Sequence, residues 1–184
     1  LRALALSLVG LLCNLPFLSY VYGSGGSLWM AILLGVSLLC LLYAGVYFLL
    51  YAARTAGRVI LSILALANAV CLYFFREYGA MLDQTMIGNV FNTDWREASS
   101  FICTMSVLYV AVLGLLPCVI IWWGNLRYGS VRYFALNVGG GMLASLLLAS
   151  PCAFAGVWSG KTGRVCFNLL LPWAYVSNSV RYAA

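Results

Sequence analysis

The chain has 184 residues, of which 65% are apolar and only 8% charged, against about 25% charged in an average soluble domain. That gap excludes a water-soluble globule and predicts an all-α integral membrane domain with room for about five spans of roughly 20 residues. The net charge of +6 comes from ten Lys and Arg against four acids; the bases scatter at helix ends, which fits membrane topology and lipid phosphate better than a nucleic-acid surface.

Five apolar runs stand out in chain order, over residues 3–22, 28–52, 59–75, 100–123 and 133–157. Each is close to the length of a helix that crosses the hydrocarbon core, and none alternates as barrel strands do. The first follows Arg2 and starts like a signal peptide. It continues to about Val21 with no small-residue cleavage site before Ser24, so it reads as a retained span. Pro16, Pro117 and Pro151 fall inside spans and are expected to bend them. Gly139, Gly140 and Gly141 in span five include two small-xxx-small pairs, Gly140/Ala144 and Gly141/Ser145, which suit close helix packing. Tyr20, Tyr22, Trp29, Trp122 and Trp123 mark span ends, as interfacial aromatic belts do. The chain starts at Leu1 and stops at Ala184 in a helix-like run, which predicts a piece of a longer protein.

An odd number of spans puts the two termini on opposite sides. Arg2, Arg54, Arg58, Arg127 and Arg132 fall on one side, and Arg76, Arg96, Lys161, Arg164 and Arg181 on the other. The count is a tie; only the higher basic density of the shorter loops favours a cytoplasmic N-terminus.

Six of the seven Cys lie in apolar runs and read as small hydrophobes. Cys166 lies outside the spans and is either a free thiol or paired elsewhere. There is no His and no CxxC, so neither a zinc centre nor a redox motif is supported. AGVWSGKT, residues 155–162, fits a loose phosphate-loop pattern, but it follows a membrane span instead of a strand, and Lys161 reads as an interfacial cation. The spans contain no acidic residue, which argues against an ion-coupled transporter or channel.

The polar chemistry is concentrated. All four acids lie between Glu77 and Glu97. Asp83 is a candidate N-cap for a single amphipathic helix over residues 83–98, lying at the interface between spans three and four. On one helix, Asn89, Thr93 and Glu97 would form a polar stripe opposite Ile87, Phe91 and Trp95. An amide, a hydroxyl and a carboxylate together suit a zwitterionic headgroup: the carboxylate for an ammonium, the other two for phosphate or ester oxygens. A solvated polar face that merely holds the helix at the interface has the same pattern.

YGAMLDQTMIGNVFNTDWREA, residues 78–98, resembles the corresponding loop of bacterial phosphoethanolamine transferases, and FNLLLPWAYVSNSVRY, residues 167–182, is a weaker echo of the family's linker. The topology is also similar: five spans, a long polar connection between the third and fourth, and an outward tail. The resemblance implies an enzyme that moves phosphoethanolamine from phosphatidylethanolamine to lipid A or a related envelope glycolipid, some members conferring polymyxin (colistin) resistance. It implies a five-span domain over residues 1–157, and a periplasmic linker over 158–184 toward a zinc-dependent, sulfatase-like catalytic domain. It places the protein in the bacterial inner membrane, N-terminus cytoplasmic and C-terminus periplasmic. Within the motif N-x3-T-x3-E, Asn89, Thr93 and Glu97 would line the donor site.

By the same resemblance, the nucleophilic Thr, its phosphorylated intermediate and the zinc belong to the catalytic domain. No catalytic residue and no metal ligand is expected in these residues. The expected partners are phosphatidylethanolamine, the glycolipid acceptor, the membrane and the catalytic domain, with no nucleic acid. The alternative is a non-catalytic membrane scaffold whose amphipathic helix only anchors it.

Overall fold

The computed structural model describes residues 1–24, 27–80, 83–123, 130–154 and 160–183, which are helical almost throughout. Four segments are long and apolar enough to cross a membrane: α3 (Leu28–Ala52), α4 (Arg54–Tyr78), the segment Thr104–Trp122, and α9 (Val131–Phe154). A fifth crossing is formed by α1 (Arg2–Cys13) and α2 (Leu15–Gly23), bent by 48° at Asn14. The expected first span is therefore broken. Pro16 follows the break and has no N–H to offer the preceding turn. The third span is longer than expected and ends where Gly79 takes a left-handed conformation, φ 60°.

The fourth span starts as α7 (Thr104–Tyr109), widens into a π-helical stretch (Val110–Leu115), and ends as α8 (Leu116–Trp122). Pro117 explains the widening, because the carbonyl four residues before it loses its normal donor. Gly114 in that stretch lets the span close onto α4: a Cβ there would lie 2.9 Å from the Leu66 side chain.

The most extensively packed helix pair is α3 with α9. A Cβ on Gly141 would meet the Cys40 carbonyl oxygen at 3.1 Å. Ser37 Oγ donates to the Ser145 carbonyl at 2.9 Å. Of the two small-residue pairs, Gly141/Ser145 makes the contact. Gly139 and Gly140 face open space.

Successive crossings alternate, so the connection between α4 and α7 lies on the same side as the segment following α9. The α3–α4 turn lies on the other side. Residues 158–184, expected as a linker, include two helices, α10 (Gly160–Leu169) and α11 (Trp173–Ala183). Cys166 and Leu169 of α10 share a core with Phe17, Val21, Leu34, Leu38 and Cys152. Cys166 is thus a buried free thiol, packed as a small hydrophobe.

The turn between α10 and α11 reaches the break in the first span. Asn14, fully buried, accepts the Leu171 N–H at 2.8 Å through Oδ1. Its Nδ2 donates to the Leu171 carbonyl at 3.0 Å and to the Gly10 carbonyl at 2.9 Å. One amide thereby satisfies the backbone of the inserted turn as well as a carbonyl left by the bend.

The former phosphate-loop candidate falls partly outside the described residues, over 155–159. α10 begins at the following Gly160, and the element before it is the helix α9.

Candidate functional site

Asp83 caps a helix as expected: its carboxylate accepts the Met86 N–H at 2.9 Å. That helix, α5 (Gln84–Asn92), is short. Asn92 Nδ2 donates to the Gly88 carbonyl at 2.8 Å, and Thr93 Oγ1 donates to the Asn89 carbonyl at 2.7 Å. The Thr93 hydroxyl takes over the Asn89 carbonyl that the next helical N–H would have used. Thr93 is extended, ψ 124°, and a separate helix, α6 (Trp95–Ser100), starts after Asp94.

The expectation of one helix over 83–98 is therefore corrected, because local side-chain bonds end it at Thr93. Asn89, Thr93 and Glu97 do not form one continuous helical stripe. Asn89 and Thr93 are joined by the hydroxyl–carbonyl bond, while Glu97 stands on the next helix. Asn89 and Glu97 are exposed and Thr93 is half-buried. The opposing apolar set also divides: Ile87 is buried, whereas Phe91 is 67% and Trp95 79% exposed. Two bulky rings left bare near a bilayer surface are suited to the lipid interface.

The segment is fixed in place by the end of the chain. Tyr182 of α11 stacks on Phe91 with ring centroids 5.8 Å apart. Gly88 makes room for it; a Cβ there would lie 2.9 Å from the Tyr182 ring. Gln84 Nε2 donates to the Arg181 carbonyl at 3.1 Å. Sequence reading missed this clasp. The only signal for it was the resemblance of residues 167–182 to a linker, together with Val165, Cys166, Leu169 and Leu170 at helical spacing.

Next to α6, an aromatic cluster of Tyr73, Phe74, Tyr78, Phe101 and Tyr109 closes the end of α4. Cys103 is exposed here, contrary to its reading as a buried hydrophobe, and its Sγ lies 3.2 Å from Tyr73 Oη. The Tyr73 hydroxyl, followed by the backbone N–H of Ser106, holds the Cys103 thiol below its ordinary pKa. Burial pushes the Cys166 thiol up. Maleimide is therefore expected to label Cys103 ahead of the other cysteines. Because the thiolate persists to lower pH, the rate should fall only as pH drops through the lowered pKa. Tyr73→Phe should slow labelling at neutral pH. Unchanged labelling kinetics in that variant would refute the hydrogen bond's role.

Among the described residues, no group of three or more His, Cys, Asp and Glu is arranged to hold a metal ion. The sequence has no His at all. This donor set does not fit a zinc site, and no step is assigned to zinc on these residues.

A family model described as phosphoethanolamine transferase EptA/EptB matches residues 38–184. The phosphoethanolamine transferase EptA of Helicobacter pylori is 29% identical over 181 residues, covering 95% of this chain and 34% of that protein. Phosphatidylethanolamine transferase Mcr-1 of Escherichia coli is 28% identical over 100 residues, covering 54% of this chain and 18% of that protein. Among solved structures, the integral membrane lipooligosaccharide phosphoethanolamine transferase A of Neisseria meningitidis superposes with a TM-score of 0.85 at 18% identity, over 99% of this chain and 35% of that one. This likeness shows the fold. The chain spans about a third of the Helicobacter relative's length, and its residues 38–184 are those of the amino-terminal membrane region of the family. A multi-pass helical membrane domain with this family match belongs to the EptA/EptB phosphoethanolamine transferases.

Proposed function

We propose that this chain is the membrane unit of an enzyme that moves phosphoethanolamine from phosphatidylethanolamine to lipid A or a related envelope glycolipid, and that the α5–α6 segment receives the donor headgroup. The observation that carries this reading is the exposed Asn89–Glu97 segment, clasped by α11 and flanked by Phe91 and Trp95. Among the described residues, no basic side chain pairs with the Glu97 carboxylate. It is available for a ligand ammonium in a charge-assisted hydrogen bond. The Asn89 amide supplies N–H groups for a phosphate oxygen.

Thr93 has its hydroxyl proton committed to Asn89. Its part is to hold the turn that orients Asn89, while its lone pairs still accept. Positioning of this kind contributes through proximity and orientation. In this reading α5, α6, α10 and α11 lie on the periplasmic face of the inner membrane, the N-terminus is cytoplasmic, and a zinc-bearing catalytic domain following α11 begins beside the headgroup. Membership in a transferase family weighs against a stand-alone scaffold.

In the intact enzyme, Glu97→Ala is expected to lower phosphoethanolamine transfer by about tenfold, the weight of one hydrogen bond to a charged group. Membrane insertion and thermal stability should be unchanged, since Glu97 is exposed. Wild-type transfer by a well-folded Glu97→Ala enzyme would remove the donor-site assignment.

A further inference from the structure

A cavity of about 400 Å³ opens within the bundle. It runs between α1, α3, α4 and the π–α8 segment, and the α10–α11 turn closes one end. On α3 its wall extends from Leu38 to Leu49, a length of about 16 Å at the helical rise. At about 30 Å³ each, similar to a water's share of liquid volume, the space takes on the order of a dozen methylene groups.

The walls offer almost no free polarity. Ser7 Oγ donates to the Ala3 carbonyl at 2.6 Å, and Asn68 Oδ1 accepts from Tyr175 at 3.1 Å. A polar ligand finds few partners there, whereas an alkyl chain needs none. The cavity lies in the half of the bundle remote from α5. Leu6, Leu49, Leu61 and Ile121, which line it, come from the ends of their helices that meet at the α3–α4 turn side.

The helix ends on that side are basic. Arg58 stands one turn before Leu61 on the same helix, with its guanidinium 5.8 Å from the Trp122 ring centroid. Its Nε is buried with no hydrogen-bond partner. Arg2 and Arg54 belong to the same end, and every acidic side chain of the sequence lies between residues 77 and 97, toward the other.

We propose that this is a binding site for an anionic phospholipid of the leaflet opposite the α5 platform, with one alkyl chain in the cavity and the phosphate at Arg58. The site is separate from the donor-headgroup segment and stands whether or not that reading holds. Its consequence is that the lipid fills the bundle beneath the α10–α11 turn and so supports the element that clasps α5.

The test uses the intact protein in nanodiscs containing phosphatidylglycerol with a photoactivatable diazirine on one acyl chain. Phosphatidylcholine with the same chain serves as the control, and labelled residues are located by mass spectrometry. Two glycines give a matched pair of variants, because a Cβ meets nothing within 4 Å at either: Gly45, which lines the cavity, and Gly139, which does not.

In the wild type, phosphatidylglycerol is expected to label wall residues such as Leu42, Leu64 and Leu113. Gly45→Phe should abolish those labels and Gly139→Phe should leave them. Arg58→Gln should reduce them about fivefold, the weight of one basic residue at an anionic surface. Wild-type labels confined to lipid-facing positions such as Leu143 and Leu147 would overturn the proposal, as would equal wall labelling by the two headgroups. The wild-type map decides even if Gly45→Phe fails to fold.

Discussion

Asn14→Leu is expected to destabilise the domain by about 2–6 kcal/mol, the cost of stranding two buried backbone polar groups. The two groups are the N–H and C=O of Leu171, both held by the Asn14 amide. In a bilayer no water replaces such a partner. Leucine keeps the branched shape of asparagine and is the larger residue, so no cavity is left and the lost hydrogen bonds carry the effect.

The α10–α11 turn should therefore leave the break in the first span. Cys13 and Cys166, both buried in the native fold, then become accessible to maleimide at temperatures where the wild type protects them. Through the Tyr182–Phe91 stack the variant should also loosen α5, although Asn14 makes no contact with it. Wild-type protection of both cysteines in Asn14→Leu would show that the turn is held by something else.

The second large effect is expected at Gly57. The α3–α4 turn is tight: Arg54 adopts φ 35°, and Gly57 is buried directly against the end of α3. A methyl group there would land on the carbonyl oxygen of Leu49. Backbone cannot rotate away as a side chain can, so the two helices must separate. Gly57→Ala should cost about 3 kcal/mol or more, the upper range for overpacking. Gly45→Ala on α3 is the control. It has open space and should be neutral or gain up to about 1 kcal/mol from helix propensity. Thermal unfolding monitored by size-exclusion in mild detergent separates the two. Equal melting temperatures would contradict the packing account.

The spans were legible in the sequence because bilayer crossing imposes a length and a composition that local reading detects. Their interruptions were only half legible. Pro16 and Pro117 announced bends, yet the sequence did not say that Asn14 would use its bend to hold Leu171, 157 residues away. That pairing is tertiary and leaves no periodic trace.

The split of the polar segment at Thr93 was misread because four-residue spacing was weighted over local competition. Asn92, Thr93 and Asp94 in a row are residues that bond neighbouring backbone and end or start helices. Given that weight, they mark a boundary. Cys103 and Cys166 exchanged roles for a related reason: hydropathy reports the neighbourhood in sequence. Cys103 sits just before a span, exposed beside Tyr73, and Cys166 sits on a tail helix buried under α2. Of the candidate site, the chemistry of Asn89, Thr93 and Glu97 was readable. Their division between two elements, and the α11 clasp over them, were not.

The most direct test of the donor site is calorimetric titration of the intact enzyme with short-chain phosphatidylethanolamine and short-chain phosphatidylglycerol, for the wild type and for Glu97→Gln. The account predicts tighter binding of the ethanolamine lipid by the wild type, with about tenfold of that preference lost in Glu97→Gln, as expected for one ammonium–carboxylate bond. Equal affinity of the wild type for the two headgroups, or a preference that survives Glu97→Gln intact, would contradict it.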